Sequence, residues 1–145
     1  MATGAFWAFG SALQMGDAGT PEAFATIAEI TKLVPPKMKR DAMEVTNHQT
    51  GSGWREYIAG FRDGGEMEVE ANWIPNNATH NSTTGIIHVF ANVNTNRNFK
   101  LVLPDGLGTL SFAGHINGLE PDLDLEKQGM LKFTLKVSGP VGFDF

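Results

Sequence analysis

The sequence contains no cysteine, which excludes disulfide bonds, thiolate nucleophiles and thiolate metal sites. No apolar run approaches the ~20 residues that a membrane-spanning helix needs. Met1 is not followed by the basic and apolar regions of a secretion signal. The formal net charge is −5, so positive charge is not in excess either. This argues against a protein that binds the phosphate backbone of nucleic acids. We therefore expect a chain made in the cytoplasm, without a membrane partner and without specific nucleic-acid binding.

Sequence motifs of enzymatic chemistry are also missing. There is no G-x-S-x-G, P-loop or G-x-G-x-x-G pattern, and none of the four histidines is spaced as in HExxH. His80 and His88 could share one face of a helix, but we interpret them as surface or hydrogen-bonding histidines. Asp122, Asp124 and Glu126 lack the glycine position of an EF-hand loop and are interpreted as a solvated hairpin. We expect no enzyme, no catalytic residue, no cofactor and no metal site.

Turn residues divide the chain into short strands without a domain linker, so we predict a single domain over residues 1–145. The expected class is mainly β, a β-sandwich or half-open barrel of about seven or eight strands with one flanking short helix. An N-terminal arm is expected at about 1–16 and a long loop at about 47–64. The predicted strands are 5–15 (strand or arm), 24–33, 39–46, 65–74, 98–103, 109–119 and 129–138. Helical spacing places the helix within 79–93, with Asn77 or Thr79 as its cap.

The most regular pattern in the chain is an alternation between Glu66 and Trp73. Met67, Val69, Ala71 and Trp73 would face a core, and the intervening side chains would face water. The water-facing positions include Glu66, Glu68 and Glu70. Taken alone, these glutamates fit an edge strand kept charged against aggregation. Paired carboxylates for acid–base catalysis are a weaker interpretation, because side chains at i and i+2 project in parallel and do not converge on one bond.

Aromatic and charged residues are concentrated in the predicted loop and the predicted arm. The loop positions are Trp54, Arg55, Glu56, Tyr57, Phe61, Arg62 and Asp63, and the arm positions are Phe6, Trp7 and Phe9. The aromatic side chains can either cap the core of their own domain or serve as anchors for a partner. Buried aromatics surrounded by ion pairs are the usual composition of an interface hot spot.

The region DAMEVTNHQTGSGWREYIAGFRDGGEMEVEANWIP resembles the hallmark region of the major tail tube proteins of long-tailed phages. Further segments follow in the order of that family: LQMGD, PEAFATIAEITKL, THNSTTGIIHVFANVNTNRNFKLVLPDG and FAGHINGLEPDLDLEKQGMLKFTLKVSGP. The resemblance covers nearly the whole chain, and the tube protein of the type VI secretion system shares the fold. Two departures are an N-terminal run, GAFWAFGSALQMGD, that is more aromatic than expected, and a poor helix-forming segment after Thr79.

The resemblance implies a structural subunit that polymerises as stacked rings, usually hexameric, around a tape-measure protein. Further implied partners are tail terminator and tail tip proteins, with double-stranded DNA passing without specific binding. The implied location is the virion tail, with the host cytoplasm during assembly. Glu66, Glu68 and Glu70 would line the lumen, while the loop and arm positions would contact neighbouring subunits and rings. A barrel of ~24 strands leaves a bore of ~38 Å, which admits a ~20 Å duplex.

Two other classes of protein remain open from the residues alone. The first alternative is a β-sandwich binding module, such as a virion decoration or adhesion domain, which would stay monomeric and present its loop aromatics to a ligand. A more distant alternative is a hydrolase with an unfamiliar carboxylate site.

Overall fold

A computed structural model describes residues 3–145, in which there are nine strands and one α-helix. The strands are β1 (Ala12–Gly16), β2 (Phe24–Thr26), β3 (Ile30–Val34), β4 (Lys39–Glu44), β5 (Tyr57–Asp63), β6 (Glu66–Asn72), β7 (Arg97–Val102), β8 (Thr109–Asp122) and β9 (Met130–Asp144). Helix α1 spans Ile86–Asn92, and short 3₁₀ turns lie at Gly51–Gly53 and Pro104–Gly106. The first two residues of the predicted arm lie outside the described residues. Within residues 3–145, no helix is both long and apolar enough to cross a membrane.

Seven of the strands form one antiparallel sheet in the order β2-β1-β7-β8-β9-β6-β3, and β4 pairs only with β5 in a separate two-stranded ribbon. β2 and β3 are the two ends of the sheet, although only residues 27–29 separate them in the chain. The sheet therefore has to curl until its edges approach each other. The two edge strands do not pair, so the barrel stays open. The predicted mainly β class is confirmed.

The core lies inside the curled sheet, and alternate side chains of the long strands point into it. On β9 the side chains of Leu131, Phe133, Leu135 and Val137 are buried, while the intervening Lys132, Thr134 and Lys136 face outward. Phe99 and Phe112 stack across β7 and β8 with ring centroids 6.0 Å apart. Burying side chains of this size contributes about 1.5–3 kcal/mol each, so the inward rows hold the sheet together.

The helix is shorter than predicted because the preceding segment forms a turn around Asn81. Its side-chain oxygen accepts the backbone N–H groups of Thr83, Thr84 and Gly85, at 2.8–3.1 Å. These bonds compete with helical ones, as side-chain acceptors of this kind commonly do. α1 starts only at Ile86 and packs on β8. Neither predicted cap is used, and the cap position is Gly85.

The single strand predicted over 24–33 is two strands. Glu29 adopts a φ of 53°, in the left-handed region that β-strands do not use. The chain turns there from one end of the sheet to the other, and Ala28 N–H donates to Thr79 Oγ1 at 3.0 Å instead of to a neighbouring strand. The turn carries no glycine or proline, so the sequence offered no signal for it.

The predicted loop over 47–64 is wrong in its second half, where Tyr57–Asp63 forms β5. β5 pairs with β4 and contains no buried residue, and neither does β4. A strand wet on both faces has no reason to alternate apolar and polar residues, so periodicity did not reveal β5, although its partner β4 was predicted within 39–46. β3 ends at Val34, directly before Pro35 and Pro36, since proline cannot donate to a strand ladder.

His80 lies outside α1, so it does not share a helical face with His88; it is fully buried. Its Nδ1 accepts the Ile74 N–H at 3.0 Å, which leaves Nε2 to donate to the Ala28 carbonyl oxygen at 2.8 Å. This neutral ring ties the segment after β6 to the β2–β3 connection. The interpretation of His80 as a hydrogen-bonding histidine is confirmed, although its burial was not anticipated.

Replacing His80 with Phe is expected to lower the free energy of unfolding by about 2–4 kcal/mol, because the Ile74 N–H and the Ala28 carbonyl would stay buried without partners. Urea denaturation followed by tryptophan fluorescence measures the loss. His88→Phe on α1 is the matched control, with an expected change below about 0.5 kcal/mol. Equal losses in the two variants would contradict a structural role for the His80 bonds.

Candidate functional site

The glutamate row lies in the interior of the sheet. β6 pairs with β3 on one side and with β9 on the other, so the edge-strand interpretation is wrong. Met67, Val69 and Ala71 are buried as predicted, and Glu66 and Glu68 are exposed on the opposite face. An interior strand needs no charge against edge-to-edge pairing. The three glutamates therefore require another explanation.

Lysines from neighbouring strands stand beside the glutamates. Glu70 lies opposite Lys32 on β3 and opposite Lys132 on β9, and Lys132 lies opposite Glu120 on β8. Across four strands this row alternates in charge, and Lys132 Nζ lies 3.6 Å from a Glu70 carboxylate oxygen. Glu66 is likewise opposite Lys136. The outer face near β6 therefore carries positive and negative side chains in alternation, whereas the sequence indicated only a row of acidic ones.

This face does not have the geometry of a catalytic centre. The glutamates project in parallel from alternate positions of one strand, as expected. The depression beside Glu68 and Glu70 is lined by residues of β3, β6, β8 and β9, with no histidine among them. Within residues 3–145 no group of three or more carboxylates and histidines is placed to hold a metal ion.

The β4–β5 ribbon presents large apolar side chains to water. Phe61 is 88% exposed and Trp54 is 77% exposed, and Tyr57 is also exposed. The interpretation that these aromatics cap their own core is wrong for all three. Arg55 forms its ion pair within the ribbon, with Glu44 at 3.9 Å, and the Glu56 N–H donates to Thr46 Oγ1 at 2.8 Å.

The ribbon leaves the sheet at a fork. The last bond between β6 and β9 on this side runs from the Val137 N–H to the Gly65 carbonyl, at 3.0 Å. Gly65 has a φ of 72°, and a Cβ there would overlap the carbonyl oxygen of Lys37. Beyond this point β9 continues along β8 while the ribbon diverges. The space between them, which we name the fork cleft, has a volume of about 840 Å³. Its lining includes Met38, Lys39, Arg40, Phe61, Arg62, Val141 and Phe143.

Asp63 organises the base of the ribbon. Its Oδ1 accepts the Gly65 N–H at 2.9 Å, and Lys136 Nζ lies 3.6 Å away. The Gly65 bond first, and the Lys136 charge second, hold the pKa of Asp63 below its ordinary value of 3.8. Because the folded pKa is the lower one, the carboxylate stabilises the ribbon base above the unfolded pKa, and this contribution is lost as pH falls through the folded value.

Lowering the pH from about 5 to about 2 is therefore expected to loosen the ribbon base before the sheet unfolds. The protection factor of the Gly65 amide, which is its intrinsic exchange rate divided by the observed rate at the same pH, should fall over that range. In Asp63→Asn the protection factor should be low already at neutral pH and should change little on acidification. Asp41→Asn, on the same ribbon, is the control and should behave as the parent does. Parent-like exchange in Asp63→Asn would show that Gly65 does not depend on this carboxylate.

The N-terminal arm ends earlier than the predicted residue 16, because Ala12–Gly16 forms β1 with three buried residues; the described residues before it, from 3 to 10, are all exposed. Trp7 and Phe9 stack on each other with ring centroids 4.9 Å apart, yet are 79% and 74% exposed, and Phe6 is exposed as well. Both the N–H and the hydroxyl of Ser11 bond the Ala8 carbonyl and shape the turn that joins the arm to β1. The arm aromatics therefore do not pack on the core of their own domain.

Two other groups of exposed apolar side chains were not predicted from the sequence. Leu123 and Leu125, in the turn between β8 and β9, are 77% and 101% exposed. Phe143 and Phe145 are exposed at the end of β9. The leucines alternate with the acidic residues that were interpreted as a solvated hairpin. The exposure of both leucines was not foreseen, because that alternation does not show where the strand ends and the turn begins.

The family model described as lambda phage tail tube protein matches residues 7–142. No curated protein sequence matches the chain at a significant level. The family match distinguishes the tail tube class from the binding module and from the hydrolase.

Several solved structures share the fold. The tail of an empty gene transfer agent particle, determined with C6 symmetry, is 17% identical, with coverage of 90% of this chain and 94% of that chain and a TM-score of 0.68. The SPP1 tail tube is 14% identical, with coverage of 92% and 76% and a TM-score of 0.66. A sheath/tube terminator of an extracellular contractile injection system is 12% identical, with 99% of both chains covered and a TM-score of 0.73. These are structural proteins of tails and tubes rather than enzymes.

Proposed function

The chain belongs to the lambda phage tail tube protein family and is a structural subunit of a phage tail tube, and from this premise we propose that it assembles as stacked hexameric rings around a tape-measure protein. The tube would later conduct double-stranded DNA. The C6 symmetry of the structurally similar gene transfer agent tail supports the ring size. Tail terminator and tail tip proteins would cap the tube, which is part of the virion and would be assembled in the host cytoplasm.

The observation that carries the ring proposal is the open sheet with two unpaired edges. Within residues 3–145, β2 pairs only with β1, and β3 pairs only with β6. Each edge strand leaves a row of backbone N–H and carbonyl groups available, which is a template for pairing with another chain. Neighbouring copies in a ring can continue each other's sheets through these edges. A closed barrel would have offered no such surface.

Contacts between subunits and between rings would come from the ribbon and the arm. Each aromatic side chain offers about 150–250 Å² of surface for burial, and those on the ribbon and arm are exposed in the single chain. A monomer would keep this apolar surface in water, whereas a polymer would bury it. The proposed contact residues are Phe6, Trp7, Phe9, Trp54, Arg55, Glu56, Tyr57, Phe61, Arg62 and Asp63.

The wall of the bore would be the outer face around β6, including Glu66, Glu68 and Glu70. Support comes from the position of β6 inside the sheet, where no edge protection is needed. The adjacent Lys132 and Lys136 offset much of the acidic charge, so we propose a wall of paired charges rather than a purely acidic one. Side chains held in pairs within the wall have little charge free to bind passing phosphates.

Negative-stain microscopy and sedimentation of the concentrated protein test the proposal. Rings with sixfold symmetry, and stacks of such rings, are the expected result. A chain that stays monomeric at all concentrations would contradict the proposal and would favour the binding module. Rings of another order would contradict the hexamer alone.

A further inference from the structure

The turn between β8 and β9 forms an acidic tip, which we define as residues 122–126. Leu123 and Leu125 stand almost fully in water, flanked by the carboxylates of Asp122, Asp124 and Glu126. Within the described residues none of these carboxylates forms an ion pair. Two exposed leucines between unpaired acids form an apolar and negatively charged surface that nothing in the same subunit covers.

The fork cleft is complementary to the acidic tip, because it combines apolar surface with positive charge. Met38, Phe61 and Phe143 line it with exposed apolar surface. Arg40 and Arg62 lie directly opposite each other at its ribbon wall, and like charges at opposite positions of an antiparallel pair repel. Neither guanidinium has an ion-pair partner in the part of the chain that the structure describes. An incoming carboxylate would relieve this repulsion.

The tip and the cleft of one subunit lie toward opposite ends of the same hairpin. The tip precedes Met130, where β9 begins, and the cleft opens beyond Val137. At ~3.3 Å per residue these two positions are ~23 Å apart along a continuously paired strand. The pairing of β8 with β9 spans this interval and keeps the tip away from the cleft of its own subunit. A cleft that receives the tip must therefore belong to another copy.

We propose that the acidic tip of one copy inserts into the fork cleft of the next copy. Leu123 and Leu125 would pack against Met38 and Phe61, and the acids of the tip would face Arg40 and Arg62. The inference rests on the proposed self-assembly and specifies one of its contacts. Because tip and cleft are different surfaces, the contact is heterologous. A single such contact between two copies leaves one tip and one cleft unoccupied. Repetition of such a contact gives a ring where the rotation between copies closes, and an open, polar stack where it does not.

Cysteine cross-linking tests the contact directly, because the chain has no cysteine of its own. Leu125→Cys protein and Met38→Cys protein are mixed under assembly conditions and oxidised. A covalent dimer is expected from the mixture, and a ladder of covalent oligomers from a chain carrying both changes. Ser82→Cys, at an exposed position before α1, replaces Met38→Cys as the matched control and should give no dimer with Leu125→Cys.

Charge reversal provides a second, independent readout. Asp124→Lys with Glu126→Lys should reduce polymer yield at least about tenfold, as should Arg40→Glu with Arg62→Glu, and a chain carrying all four changes should regain most of the yield. If the unmodified chain forms tubes, the absence of a cross-link between Leu125→Cys and Met38→Cys, or full polymer yield from the tip variant, would overturn the inference and leave the proposed function intact. An unmodified chain that forms neither rings nor tubes would overturn the proposed function, and this inference with it.

Discussion

A variant in which an Asn-Gly turn replaces residues 39–63 is expected to fold as the parent does and to form no tubes. These residues are the β4–β5 ribbon, and neither of its strands contributes a buried side chain to the core. The unfolding temperature should therefore stay within about 5 °C of that of the parent. Tube growth should be lost completely, because the ribbon carries most of the exposed aromatic surface outside the arm. Differential scanning calorimetry and sedimentation measure the two effects separately.

A milder pair of variants separates the aromatic contacts from the length of the ribbon. Trp54→Ser with Phe61→Ser keeps the ribbon intact and should shorten the tubes. The control is Phe90→Ser with Leu107→Ser, which removes two exposed apolar side chains elsewhere and should leave tube length unchanged. Long tubes from the ribbon-deleted chain would show that the ribbon does not join subunits. A molten deleted chain would show that the ribbon supports the core.

Changing Glu66, Glu68 and Glu70 together to Gln is expected to slow DNA ejection from phage that carry this chain. From the acidic row alone, the change would only relieve like-charge repulsion within each ring and allow tubes to assemble at least as readily. In the structure, however, the change leaves Lys32, Lys132 and Lys136 without acidic partners on β6. If this face lines the bore, repeated lysines then contact phosphates. Binding through about six to ten such contacts weakens by about 10³–10⁵ between 50 and 200 mM salt.

The ejection rate as a function of salt is the measurement that decides this prediction. The glutamine variant should be slow at low salt and should approach the parent as salt increases. The matched control changes Lys32, Lys132 and Lys136 to Gln, which makes the wall acidic and should eject DNA at least as fast as the parent. Parent-like rates for both variants at every salt concentration would show that this face does not meet the DNA.

The strands with one buried face were predictable from the sequence. β6, β7, β8 and β9 alternate because one side of each strand faces the core. The predicted inward residues Met67, Val69 and Ala71 of β6 are buried, while Trp73, just beyond the end of the strand, is half-buried. β5 was not predictable by the same argument, because both of its faces are wet. The break between β2 and β3 was missed since it depends on a left-handed Glu29. The helix began later than its spacing indicated because the Asn81 side chain holds the preceding turn.

The sequence by itself determined the mainly β class, the inward rows of the long strands and the tail tube family, because local alternation and the order of motifs are recorded along the chain. Only the tertiary structure decided that β6 is interior and that lysines from β3 and β9 stand beside its glutamates. The outward-projecting ribbon, the fork cleft and the acidic tip at the opposite end also depend on it. Each of these features depends on pairing between segments far apart in the chain. A strand's own pattern records which of its faces is buried, but it does not record which strand lies beside it.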